Sequence, residues 1–139
     1  LKLKRLLVVD DVPQVKDLLV EALKTEFDVT ATGSPDEALE LVKNNNFDLL
    51  ITDMAMPGLS GEDLIREVRR LGKEMEIIII TAYGSIEKAT RLMRMGVYDY
   101  IEKPFTIDKI RHTIAQAFKF SDLKKENKTL QRKMLYYEK

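Results

Sequence analysis

The stretch Leu6-Leu7-Val8-Val9-Asp10-Asp11-Val12-Pro13 decides the fold: four apolar residues run into two carboxylates, and a proline suited to a first helical turn follows at once. A continuous apolar run reads as a strand buried on both faces, as in parallel sheets covered by helices. The same plan recurs downstream, where Leu49-Leu50-Ile51-Thr52 ends at Asp53, Ile77-Ile78-Ile79-Ile80 ends at Thr81, and Tyr98 to Glu102 ends at Lys103. In a parallel α/β sheet, strand ends of one polarity open onto one edge, so these side chains are expected to converge. Three carboxylates, a hydroxyl and an ammonium at one edge suit a divalent cation and a phosphoryl group.

The segments between the runs have helical period, giving five βα repeats. The first helix follows Pro13 and is expected to bury Val15, Leu18, Leu19, Ala22 and Leu23. Phe27 to Ala31 reads as the short second strand. Ser34-Pro35-Asp36-Glu37 supplies an N-cap serine, a proline at the first helical position and a glutamate placed to close a capping box. Ala38, Leu41 and Val42 form that helix's stripe, and Asn44-Asn45-Asn46 ends it before the Phe47 to Asp53 strand. Pro57-Gly58 marks a turn, after which Ser60 caps a helix with Leu64, Ile65, Val68 and Leu71 inward and Gly72 as its stop. Ser85 to Met95 is the fourth helix, with Ile86, Ala89, Leu92 and Met93 inward and Gly96 at its C-cap. Thr106 caps the last helix, which buries Ile107, Ile110, Ile114 and Ala117.

At 139 residues and 45% hydrophobic content the chain suits one compact domain. Residues 119–139 carry seven Lys or Arg against three acids, leaving sixteen against twenty before them, so a slightly acidic body is joined to a slightly basic tail. A surplus that small, spread along a helix that also carries acids, is a solvated face rather than a nucleic-acid patch. Without cysteine there are no disulfides or Cys-based metal sites, which suits the cytoplasm. The apolar runs fall short of the about 20 residues that a membrane span needs. No signal-like start is visible, and Leu1 in place of an initiator methionine fits a trimmed chain.

Beyond Phe118 the pattern becomes a heptad seam, with Phe120, Asn127 and Met134 at a, and Leu123, Leu130 and Tyr137 at d. Asn127 at a favours a parallel dimer in register, and Lys133 at g can meet Glu138 at e of a partner helix. Lys119 would face Lys124 unfavourably. The alternative is a terminal helix with chance spacing, because short isolated helices are marginal in water.

A hard cation such as Mg²⁺ is held by one or two carboxylates, waters and phosphate oxygens, which Asp10, Asp11 and Asp53 match. The carboxylate oxygen of Asp53 can attack phosphorus to form an aspartyl phosphate, with the cation and Lys103 neutralising charge on the transferred group. Thr81 offers a donor for a phosphoryl oxygen. His112, the only histidine, is assigned no role.

Taken together, Asp10-Asp11, Asp53-Met54-Ala55-Met56-Pro57-Gly58, Thr81-Ala82 and Lys103-Pro104-Phe105 resemble the receiver domain of two-component response regulators over roughly residues 4–118. The resemblance implies a flavodoxin-like, doubly wound five-stranded sheet in the order 2-1-3-4-5, and Mg²⁺ held by Asp10, Asp11, Asp53 and the backbone carbonyl of Ala55. It further implies phosphorylation of Asp53 by a sensor histidine kinase, a cis peptide before Pro104, and a switch in which Thr81 moves toward the phosphoryl group while Tyr100 turns inward. Such a module is no enzyme beyond catalysing its own phosphorylation and dephosphorylation.

Within that family, Thr81-Ala82-Tyr83-Gly84-Ser85 and Met95-Gly96-Val97-Tyr98-Asp99-Tyr100 look like the NtrC-type, sigma-54-dependent activator branch. The expected organisation is a receiver over 1–118 and a linker helix over 119–139 forming a short coiled coil, with a homodimer through helix 4, strand 5, helix 5 and the linker. DNA and sigma-54 polymerase would be reached only through domains outside this chain, since no P-loop occurs here. Val12 stands where the family often has an acid. A stand-alone receiver docking on a partner is the runner-up. An aspartyl-phosphate hydrolase would need a second acid where Ala55 stands, and a flavin carrier would need a hydroxyl-rich loop in place of Asp10-Asp11-Val12-Pro13.

Overall fold

The computed structural model describes residues 2–137. Along the chain it runs β1 (Arg5–Val9), α1 (Pro13–Leu23), β2 (Asp28–Thr32), α2 (Pro35–Asn44), β3 (Leu49–Asp53), α3 (Gly61–Arg70), β4 (Glu76–Thr81), α4 (Ile86–Arg94), β5 (Asp99–Glu102) and α5 (Ile107–Tyr137). Every strand pairing is parallel and the order is β2-β1-β3-β4-β5, the expected flavodoxin-like sheet. Order reverses between β1 and β3, where a doubly wound sheet opens a crevice at its strand ends.

Strand alternation splits the core into two layers. Leu7, Val9, Leu50, Ile77 and Ile79 point to one face and pack with Ala38, Val42, Leu64, Val68 and Leu92 from α2, α3 and α4. Leu6, Val8, Leu49, Ile51, Ile78 and Ile80 point to the other and meet Leu19, Leu23, Ile110, Ile114 and Ala117 from α1 and α5. A large aliphatic side chain buried this completely contributes about 1.5–3 kcal/mol, so the isoleucine strand anchors both layers.

The caps act as expected at α3 and α4, where Ser60 and Ser85 accept from the backbone N–H of Asp63 and Lys88 at 3.1 Å each. Thr106 does the same for Lys109 at 3.1 Å. Ser34 accepts from Glu37 at 3.2 Å, but the reciprocal half of the capping box is taken: the Ser34 N–H donates to Thr32 Oγ1 at 3.1 Å, leaving Glu37 exposed. Gly72 and Gly96 end their helices with φ of 76° and 83°, the left-handed conformation glycine adopts freely.

Four residues expected inward are exposed. Leu18 is 48% exposed, because it lies one residue, roughly 100° of helix, from the buried Leu19. Met93 stands in the same relation to the buried Leu92, and Ile86, in the first turn of α4, lies roughly 120° round from it; they are 50% and 87% exposed. Leu71 is the C-cap of α3, past the helical face, and is 37% exposed. No helix among the described residues is long and apolar enough to cross a membrane.

α5 continues through Phe118 without a break, although burial stops there: Ala117 is buried and residues 122–137 are exposed. Lys124 does not face outward toward Lys119 of a partner, because its Nζ is 2.6 Å from Glu76 Oε1 of its own body. The expected Lys133–Glu138 pair lies outside the described residues.

Candidate functional site

Because β1, β3, β4 and β5 end at the same edge, the side chains at those ends meet there. One oxygen from each of Asp10, Asp11 and Asp53 lies within 4.8 Å of the others. Asp10 and Asp53 are buried, and Asp11 is the most open of the three. The chain turns immediately after β1, which lets two consecutive aspartates reach one point: Asp10 Oδ1 accepts from the Val12 N–H at 2.9 Å, and α1 starts at Pro13.

Lys103 reaches in from the end of β5. Its Nζ is 3.1 Å from Asp10 Oδ2 and 3.6 Å from Asp53 Oδ2, and its backbone N–H donates to the Thr81 carbonyl at 2.8 Å. The peptide between Lys103 and Pro104 is cis, as the resemblance implies. Asp53 Oδ1 accepts from the Met54 N–H at 2.8 Å. Burial pushes the Asp53 carboxyl above its ordinary value and the Asp10 charge adds to this; Lys103 and the Met54 amide oppose it, and Asp11 raises it further.

Thr81 is buried at the end of β4, and its Oγ1 accepts from the Tyr83 N–H at 3.1 Å. Tyr100 is half-buried on β5; its hydroxyl is buried, with no hydrogen-bond partner among the described residues, and lies where a side chain on Gly84 would stand. Burial, then the Glu102 charge, raises the phenol above its usual range. Ala55 is exposed in the loop after β3, one residue past Met54, whose carbonyl accepts from the Gly61 N–H at 3.0 Å. His112 is exposed, away from the strand ends, on α5.

Two glycines belong to the site that sequence reasoning passed over. A Cβ at Gly61 would collide with the Asp53 carbonyl oxygen and Met54 Cα, so α3 closes on the acceptor strand only without a side chain there. A Cβ at Gly84 would collide with the Tyr100 hydroxyl. Neither position carries a positive φ, so the turn signals that expose other glycines are missing here.

The donor set fits a hard divalent cation: three carboxylates crowd together with one ammonium between them, and their repulsion is what a cation would relieve. A family model for the response regulator receiver domain matches residues 6–115. The response regulator protein PilR of Pseudomonas aeruginosa is 30% identical over 133 residues, covering 95% of this chain and 30% of PilR. The regulatory protein AtoC of Escherichia coli is 30% identical over 125 residues, covering 89% of this chain and 27% of AtoC. The chain thus spans less than a third of PilR and of AtoC. The crystal structure of the signal receiver domain of a putative LuxO repressor protein from Vibrio parahaemolyticus superposes with a TM-score of 0.84 at 27% identity, covering 90% of this chain and 96% of that one. The NtrC-type resemblance read from Thr81–Ser85 and Met95–Tyr100 is matched by these curated relatives. The strand-end cluster, the fold and the matched family model agree, and the chain belongs to the response regulator receiver domain family.

Proposed function

We propose that Asp53 accepts a phosphoryl group from a sensor histidine kinase in a reaction that needs Mg²⁺. The observation that carries this is the surplus at the strand ends: Asp10, Asp11 and Asp53 lie within 4.8 Å, and among the described residues they are met by Lys103 alone, 3.1 Å from Asp10 and 3.6 Å from Asp53. Asp10, Asp11, Asp53 and the carbonyl of Ala55 would hold the ion. Bound there, Mg²⁺ supplies charge neutralisation for the incoming phosphoryl oxygens. An Asp53 oxygen attacks phosphorus, the phosphorus–nitrogen bond of the phosphohistidine breaks, and the imidazole leaves with the bond's electron pair and takes up a proton. Lys103 leans between Asp10 and Asp53 and is placed to meet the new charge, while the Thr81 hydroxyl exchanges its tie to the Tyr83 amide for the phosphoryl oxygen. Tyr100, whose hydroxyl already lies beside Gly84, keeps that inward position once Thr81 has moved.

The chain is read as a receiver over 1–118 and a linker helix over 119–139, taken from a cytoplasmic NtrC-type regulator whose transcription-activating domain lies outside it. Phosphorylation changes dimerisation through α4, β5, α5 and the linker's heptad seam. Part of the seam supports this: Leu123, Leu130 and Met134 are 58%, 52% and 62% exposed, although Phe120, the first a residue, packs on Tyr98 of its own body at 5.6 Å. Loss of those residues by truncation after Phe118 weakens self-association, and an unchanged association constant in sedimentation dismisses the seam. Treatment with a small-molecule phosphodonor and Mg²⁺ adds one phosphoryl group to the wild type and none to Asp53→Asn by intact mass. Labelling retained in Asp53→Asn moves the acceptor elsewhere.

A further inference from the structure

The opposite edge of the sheet buries a carboxylate that the phosphoryl chemistry does not use. Glu76 opens β4 and is only 3% exposed, a costly place for a charge without a partner. Its hydrogen-bonding partner comes from forty-eight residues away, where Lys124 Nζ donates to Glu76 Oε1 at 2.6 Å. The Arg69 guanidinium is close enough for Glu76 to act on its charge, but its own hydrogen bonds go to the carbonyls of Lys73, Met75 and Gly96.

Around this pair the first turns of the extension lie against the body. The Phe120 ring packs against Tyr98 at a tilt of 45°, 5.6 Å between centroids, Lys124 Nζ sits 4.6 Å over the Phe120 ring, and Lys128 is 3.6 Å from Glu74. Lys124 and Lys128, one turn apart, thus mark the face toward the body. Leu123 and Asn127 each precede one of them by a residue, a rotation of about 100°. The stripe continuing through Leu130 and Met134 therefore lies to the side of the docked face, whereas Phe120, on the same side as Asn127, still meets the body through Tyr98.

We propose that Glu76 and Lys124 are positioning residues: their pair docks the extension on its own body and sets the direction in which the helix leaves, with Leu123, Leu130 and Met134 left exposed. The docking stands whether or not Asp53 is phosphorylated; its consequence for pairing with a second copy rests on the dimer reading above. β4 gives the arrangement its reach, since the strand that begins at the docked Glu76 ends at Thr81. Both ends of one rigid element are tied, one to the extension and one to the phosphoryl site.

The test compares Glu76→Gln, Lys124→Gln and the double variant in the full chain, following tryptic cleavage after Lys125 and Lys128, sites that every variant keeps. An undocked helical extension frays, so each single variant is cleaved about ten-fold faster or more than the wild type. Since both remove one contact, the double variant is cleaved no faster than the faster single. Unchanged cleavage in both singles, or effects that multiply in the double, overturns the docking. Sedimentation of the same variants reads the second part: a weaker association constant in the singles supports the set direction, and an unchanged one overturns it. A wild type that never self-associates overturns the dimer reading and the orientation role with it, while cleavage still decides the docking.

Discussion

The two edges of the sheet both bury carboxylates, with opposite charge balance. At the strand C-terminal edge, Asp10, Asp11 and Asp53 crowd together, and among the described residues only Lys103 pairs with any of them, through Asp10 and Asp53. At the other edge Glu76 is met by Lys124, with Arg69 beside it. The chain satisfies its own acid in one place and leaves negative charge uncompensated in the other. Buried charge that the chain completes itself is architecture; buried charge left in surplus marks where something else must bind.

The sharpest break of this contrast is Lys103→Met, which removes the single cation from the crowded edge. Phosphorylation by a small-molecule donor should slow by about 10²–10³-fold, the usual loss when a group that stabilises developing charge is removed. A rate within a factor of a few of wild type would show that Lys103 plays no part in neutralising the transferred group.

At the other edge the expected effect is one of stability. Lys124→Gln leaves Glu76 buried without its partner and should cost about 1–2 kcal/mol in denaturant melts, below the ~3–5 kcal/mol of a fully buried pair because Lys124 is 48% exposed and Arg69 remains. Phosphorylation of Asp53 should be unaffected. A change in labelling with no change in stability would reverse the roles assigned to the two edges.

Asp53→Asn should act in the opposite sense and more weakly, raising the melting temperature by a few degrees in the absence of divalent cations. Burial and the Asp10 charge raise the folded-state value of Asp53 above the ordinary 3.8. For an acid shifted upward, the stability it contributes is present below the unfolded value and lost as pH rises through the folded one. The gain of Asp53→Asn over wild type is therefore absent in strong acid and grows as pH rises above 3.8. A gain that shrank over that range would contradict the crowding.

The contrast was half legible in the sequence. Asp10, Asp53 and Thr81 each end a buried apolar run and Lys103 follows the half-buried β5, and topology alone brings such ends together, so their convergence could be read before any coordinates. Ser60, Ser85 and Gly96 were legible because caps are local chemistry. Ile86, Met93 and Leu18 were misread because helical period shows that a face exists but not how wide the neighbour covering it is. Glu76 was passed over because it reads as the polar margin of a strand, and Lys124 because a heptad suggests a partner helix. Their pairing depends on where α5 emerges from the body. Gly61 and Gly84 are constrained by distant atoms, the Asp53 carbonyl and the Tyr100 hydroxyl, and leave no local trace.

The most direct test of the central claim is thermal melting with and without Mg²⁺ in wild type, Glu76→Gln and Asp53→Asn. Binding to the folded state alone must raise the melting temperature, and among the described residues only the edge with surplus negative charge gathers three acids that could hold the ion. Mg²⁺ should stabilise wild type and Glu76→Gln alike, and Asp53→Asn distinctly less. A wild-type melting temperature that Mg²⁺ does not move, or a Mg²⁺ effect lost in Glu76→Gln and kept in Asp53→Asn, would contradict it.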